Sequence, residues 1–158
     1  MRSVACVLCT LSTLLVFSSS AAPAAQASSP RMNAGERAIV RAINRARAAH
    51  GVRALRGHRR LARAADAHTR SMLRADYFAH GAFASRVRRY VRSRRVGETI
   101  AMTTRCSARR VVRMWMNSAP HRAVLLARGF RSVGIGRRVG RLGTSRACLV
   151  TADFASRR

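Results

Sequence analysis

Three residues of this chain carry side chains suited to joint chemistry: His80 in YFAHG, Glu98 in VGETIA and His121 in NSAPHRA. Two imidazoles and one carboxylate, with a fourth position open, form an established ligand set for a catalytic divalent metal such as zinc. All three stand at apparent breaks between elements, and their spacing alone does not bring them together. No other catalytic set competes with them. The chain has no HExxH for a metalloprotease, no GxSxG nucleophile elbow and no GxxxxGK[ST] phosphate loop. Ser71, Ser85 and Ser118 have no identified base, and Gly134 and Gly136 read as strand glycines that admit close packing rather than a dinucleotide site.

The elements that must position these residues are legible in part. Asn33 with Glu36 three residues later forms a capping-box pattern, and the helix it starts carries Ile39, Ile43 and Ala46 on one face before Gly51 stops it. Arg37, Arg41 and Arg45 line a second, solvated face of the same helix. A second helix, from about Gly57 to Arg74, turns Leu61, Ala65, His68 and Met72 inward, so His68 is expected to bond a backbone carbonyl within the core. His50 and His58 read as solvated. A short third helix bears Phe83, Val87, Tyr90 and Val91 and reaches Gly97. Ser107 can cap a fourth helix with Ala108, Val111, Val112 and Trp115 inside, and Pro120 fits the first turn of a fifth that carries His121. From Phe130 the period changes to two, which gives two strands joined as an antiparallel hairpin across Gly140 to Ser145. Helices first and a hairpin last indicate an α+β arrangement.

The chain's 158 residues suit one domain. Its net charge of +27 comes from 32 basic residues, all arginine, against 5 acidic ones. Such a surface attracts polyanions and repels cationic partners. Residues 1–27 combine Arg2, an apolar run from Val4 to Phe17 and an Ala25-Gln26-Ala27 cleavage site, the pattern of a secretory signal peptide. Residues 28–32 form a short polar lead-in, and 33–158 a single domain. The expected product is exported, with no membrane span after cleavage. Cys6 and Cys9 leave with the signal peptide, and Cys106 and Cys148 remain as one possible disulfide pair in an oxidising compartment.

The ordered segments INRARAAHGVRAL, LARAADAHTRSM, YFAHG, VGETIA, MWMNSAPHRAVLL, FRSVGIG and TADF resemble the bacterial secreted branch of the CAP superfamily, the cysteine-rich secretory proteins, antigen 5 and pathogenesis-related proteins that share the SCP domain. The resemblance runs from about Asn33 to Phe154. It implies a three-layer α-β-α sandwich with a small antiparallel sheet between helices, and a cleft that holds two histidines and acidic residues. His80, Glu98 and His121 match the family's cleft positions. There a carboxylate can orient the imidazoles, share protons with them or help ligate a metal. Thr99 stands where the family's pattern has an asparagine, and Asn117 and Ser118 occupy the stretch where animal and plant members carry a second acid. Their presence implies a cleft with one negative charge fewer and weaker metal affinity.

These readings converge on an exported protein that binds an unknown extracellular ligand through His80, Glu98, His121, Asn117 and Ser118. A metal-dependent or acid/base hydrolase using the same cleft is the first alternative. A binder of anionic polymers or lipids, using arginine forks that suit phosphates, is the second. No pattern in the sequence specifies an oligomeric state.

Overall fold

The computed structural model describes residues 32–157. The segment read as a signal peptide, with Cys6 and Cys9, lies outside the described residues. Five helices and four strands follow in the order α1 (Ala34–Ala49), β1 (Arg56–Gly57), α2 (Arg59–Arg74), α3 (Phe83–Arg88), β2 (Val96–Thr103), α4 (Ala108–Asn117), α5 (Ala119–Leu126), β3 (Ser132–Leu142) and β4 (Ser145–Ala155).

Local chemistry sets the helix ends. The Asn33 side chain accepts from the Glu36 amide while Glu36 accepts from the Asn33 amide, so the capping box at α1 is complete. Ser107 caps α4 through the Arg110 amide, and Pro120 occupies the first turn of α5. His58 is not simply solvated: its Nδ1 accepts from the Leu61 amide as the N-cap of α2. The third helix is shorter than its apolar spacing suggests and ends at Arg88. Arg88, Arg89, Arg92, Arg94 and Arg95 crowd like charges into the next turns, which disfavours a helix there.

The sheet order is β1-β3-β4-β2. β3 and β4 form the expected hairpin, turning at Gly143 with φ +56°, and β2 pairs antiparallel to β4. The sheet is mixed rather than wholly antiparallel, because the two-residue β1 joins β3 in parallel. One face packs on α1, α4 and α5 through a core that includes Ile39, Ile43, Trp115, Val133, Ile135 and Phe154. The other face carries α2, which rides directly on the β3 backbone. A Cβ at Gly134 would fall 2.0 Å from the Ala62 nitrogen, and one at Gly136 2.4 Å from the Ala65 carbonyl carbon. Only glycine permits that approach. Helices cover both faces of the sheet, the α-β-α sandwich expected from the sequence.

Cys106 and Cys148 are bonded, with Cα atoms 5.5 Å apart, tying the start of α4 to β4. Arg47 is wholly buried, unlike the arginines around it. Its Nε donates to the Arg53 carbonyl at 2.8 Å, and its Nη1 donates to the carbonyls of Leu125 and Ala127, which fastens α1 to the end of α5. The described residues contain no helix long and apolar enough to cross a membrane.

Candidate functional site

The chemistry collects at the edge formed by β2. β2 is buried on both faces along most of its length, which hides the alternation a half-exposed strand would show. Glu98 therefore sits within a strand rather than at an element break. Its side chain points to the α2 face and is fully buried. The chain leaving α2 passes Ala79 and His80 before Gly81 turns it at φ +56°. That turn brings the His80 ring over the β2 edge. α5 approaches the same edge from the opposite layer and contributes His121.

His80 Nδ1–H donates to Glu98 Oε1 at 2.8 Å, and Arg86 donates to Glu98 Oε2. Arg86 also donates from Nη1 to the His80 carbonyl at 3.2 Å, so one guanidinium fixes both the carboxylate and the backbone of its imidazole partner. The rings of His80 and His121 lie 6.1 Å apart between centroids. Both line a cavity of about 580 Å³, together with Glu98 and a wall that includes Phe83, Val124 and Phe130. The His80 side chain is 44% exposed, so the ring is anchored at one nitrogen and open on the other side. Burial first, and then the charge of His80 beside it, hold His121 below the ordinary imidazole value. It is neutral at pH 7, and so offers one donor and one acceptor.

Three further polar residues belong to this network. His68 donates from Nε2 to the Ala79 carbonyl at 3.0 Å, as a core histidine should, but that nitrogen also lies 3.9 Å from Glu98 Oε2. Burial first and the Arg86 charge second hold its basicity down. Asp153 stands opposite Glu98 in the β2–β4 register, wholly buried, with Oδ1 3.7 Å from Arg86. Neither Asp153 oxygen has a hydrogen-bond partner among the described residues. Burial first and the Glu98 charge second raise its carboxyl well above the usual range, while Arg86 pulls the other way. Arg86 is one arginine among many and left no mark in the sequence. Asp153 did leave one: an acid inside the otherwise small and apolar TADF of a strand.

Asn117 and Ser118 do not join this group. Asn117 is exposed at the end of α4, Ser118 links α4 to α5 without a side-chain cap bond, and neither lines the cavity. The zinc set expected from His80, Glu98 and His121 does not fit either. Both Glu98 oxygens are engaged by His80 and Arg86, and a guanidinium in contact with the carboxylate repels a second cation. Among the described residues, no group of three His, Cys, Asp or Glu side chains is placed to hold a metal ion.

The model of the cysteine-rich secretory protein family, CAP, matches residues 40–153. No curated protein sequence matches the chain. Among solved structures, an extracellular protein containing an SCP domain from Bacillus anthracis str. Ames is 25% identical, with a TM-score of 0.67. That match covers 78% of this chain and 40% of the other, so this chain spans two fifths of that relative's length. An outer surface protein from Borrelia burgdorferi is 19% identical with a TM-score of 0.65, over 78% of this chain and 93% of that one. A cysteine-rich secretory protein from Staphylococcus aureus is 18% identical with a TM-score of 0.63, over 78% and 38%. At those identities the last two show a common fold and no more.

Proposed function

This chain belongs to the cysteine-rich secretory protein (CAP) family, and from that premise we propose that it works outside the cell by holding a small, largely apolar ligand in the cleft at the β2 edge. The carrying observation is the cavity itself: about 580 Å³, walled by Phe83, Val124 and Phe130, with His80 and His121 converging at one end. An apolar chamber with a few convergent polar groups is the general form of a small-molecule site. Arg86 and Glu98 neutralise each other beneath it, so the floor presents imidazole nitrogens, while Arg95 brings one positive charge to the lining. The extracellular neighbour from Bacillus anthracis and the signal-peptide pattern of residues 1–27 support the location.

A second reading has one observation in its favour. The Glu98–His80 pair has the carboxylate–imidazole geometry that orients a general base. The residues lining the cavity include no serine, threonine or cysteine to act as a nucleophile, so such a hydrolase would have to activate water.

The test uses a neutral apolar fluorophore, N-phenyl-1-naphthylamine, because a charged probe would respond to the arginines. Ala123 is exposed and lines the cavity, so Ala123→Trp fills the space with little effect on the fold. Saturable binding that weakens about tenfold or more in Ala123→Trp, on the order of one lost side-chain contact surface, is the expected result. Equal affinity in both proteins overturns the cleft reading. Turnover of a p-nitrophenyl ester that disappears in His80→Ala would favour the hydrolase instead.

A further inference from the structure

Next to the cleft, and sharing Gly81 with its lining, lies a second cavity of about 310 Å³ between α2 and α3. α2 supplies His68 and Ser71, Tyr77 follows from the loop after it, and α3 with its C-terminal turn supplies Ser85, Arg86, Arg89 and Tyr90. Its volume is at the low end of the ~300–1,000 Å³ usual for small-molecule sites.

Helices that meet over a sheet ordinarily close their seam with apolar side chains. Leu61 and Val87 close the buried part of this seam in that way, but the cavity outside them is faced, beside Ala67 and Ala82, with hydroxyls, phenols, an imidazole and two guanidiniums. Its hydrogen-bonding capacity is unbalanced. Arg86 and Arg89 are donors only, and hydroxyls and phenols can each donate as well as accept. The internal bonds consume few of these donors: Tyr77 donates to Ser71 Oγ at 3.2 Å, and Ser85 donates to the Ala82 carbonyl at 3.0 Å. Arg86 spends its two terminal nitrogens on Glu98 and the His80 carbonyl, while its Nε is buried with no partner among the described residues. Arg89 has no carboxylate within 4.0 Å among the described residues. Ser85 with Arg89, and Arg86 with Tyr90, are each four residues apart, so one face of this short segment presents all four groups together. A cavity with surplus donors and an unpaired guanidinium at its wall is complementary to an acceptor-rich anion.

We propose that this second cavity is a binding site for a phosphate group, held by the Arg86 and Arg89 guanidiniums and the hydroxyls of Ser71, Ser85, Tyr77 and Tyr90. Phosphate matches the surplus because its oxygens accept from several directions at once, and guanidinium forks suit it. The space left around a bare phosphate accommodates a small ester substituent. The inference does not rest on the cleft reading, because the two cavities share no lining residue but Gly81.

The experiment is calorimetric titration of the purified chain with inorganic phosphate and, separately, glycerol 1-phosphate, at constant ionic strength. One saturable site is expected, with glycerol 1-phosphate the tighter ligand if the natural group is a monoester and inorganic phosphate the tighter if it is the free ion. Arg89→Gln should weaken it about tenfold or more, the scale of one charge-assisted hydrogen bond, and Tyr90→Phe by a smaller factor. Arg45→Gln, in the exposed α1 stripe, should leave it unchanged. Ala123→Trp should also bind phosphate like the parent chain, which separates failure here from failure of the cleft reading. Non-saturable uptake, or an equal loss in Arg45→Gln and Arg89→Gln, would mean diffuse attraction to a basic surface and would overturn the proposal.

Discussion

Replacing Asp153 with asparagine tests how the acid beneath the cleft is carried. In the unfolded chain an aspartate titrates near ~3.9. In the fold, burial and the neighbouring Glu98 charge move Asp153 well above that value, against the opposing pull of Arg86. Between the two values the folded chain binds one proton that the unfolded chain does not. Stability must then fall as pH rises through this window, by at most about 1.4 kcal/mol per pH unit for a single proton. Below ~pH 4 the carboxyl is protonated in both states and the penalty is absent. Above the raised value it is fully present and no longer grows.

Asparagine has nearly the shape of the protonated acid and never ionises. The variant should match the parent within about 1 kcal/mol near pH 4, then gain on it with a slope approaching about 1.4 kcal/mol per pH unit. Urea unfolding at half-unit intervals from pH 4 to 7.5, with the m-value checked at each, reads this difference directly. Glu36, raised chiefly by burial, and His58, His68 and His121, lowered chiefly by burial, titrate in both proteins and drop out of the subtraction. A difference that is flat with pH, or a variant that loses ground as pH rises, would refute the reasoning.

Two other substitutions probe the frame around the site. Gly136→Ala drives a Cβ to 2.4 Å from the Asp66 nitrogen, where the obstacle is helix backbone rather than a mobile side chain, so α2 must lift from β3. A loss of about 3 kcal/mol, the upper end of ordinary overpacking, should appear as a lower urea midpoint. Removing the Cys106–Cys148 bond, which closes a sequence separation of 42 residues, should lower stability by about 4 kcal/mol in the chain-entropy treatment. Unfolding with and without reductant measures it.

The helices were readable because their ends are written in side chains: Asn33 with Glu36, Ser107 and Pro120 all act where the pattern places them. β3 and β4 were readable through their change of period, and Gly134 and Gly136 through the close approach they permit. β2 was not, because a strand buried on both faces has no polar side to alternate with. The grouping of His80, Glu98 and His121 came from the resemblance, since nothing in their spacing draws them together. Arg86 was invisible for a simpler reason: where every basic residue is arginine, one that turns inward, as Arg47 also does, carries no distinguishing mark.

That inward arginine also accounts for keeping a glutamate in a chain so poor in acids. A wholly buried carboxylate is unfavourable unless paired, and Arg86 pairs Glu98, with Asp153 Oδ1 3.7 Å from the same guanidinium. Glu98 and Arg86 sum to no net charge, and burial favours the protonated form of Asp153 and the neutral form of His121. The ion pair beneath the cleft thus adds no net charge to it, and Arg95 is the guanidinium that lines the cavity itself. One ion pair at the β2 edge thus offsets the buried charge beneath the cleft, while Arg89, at the cavity between α2 and α3, has no carboxylate within 4.0 Å among the described residues.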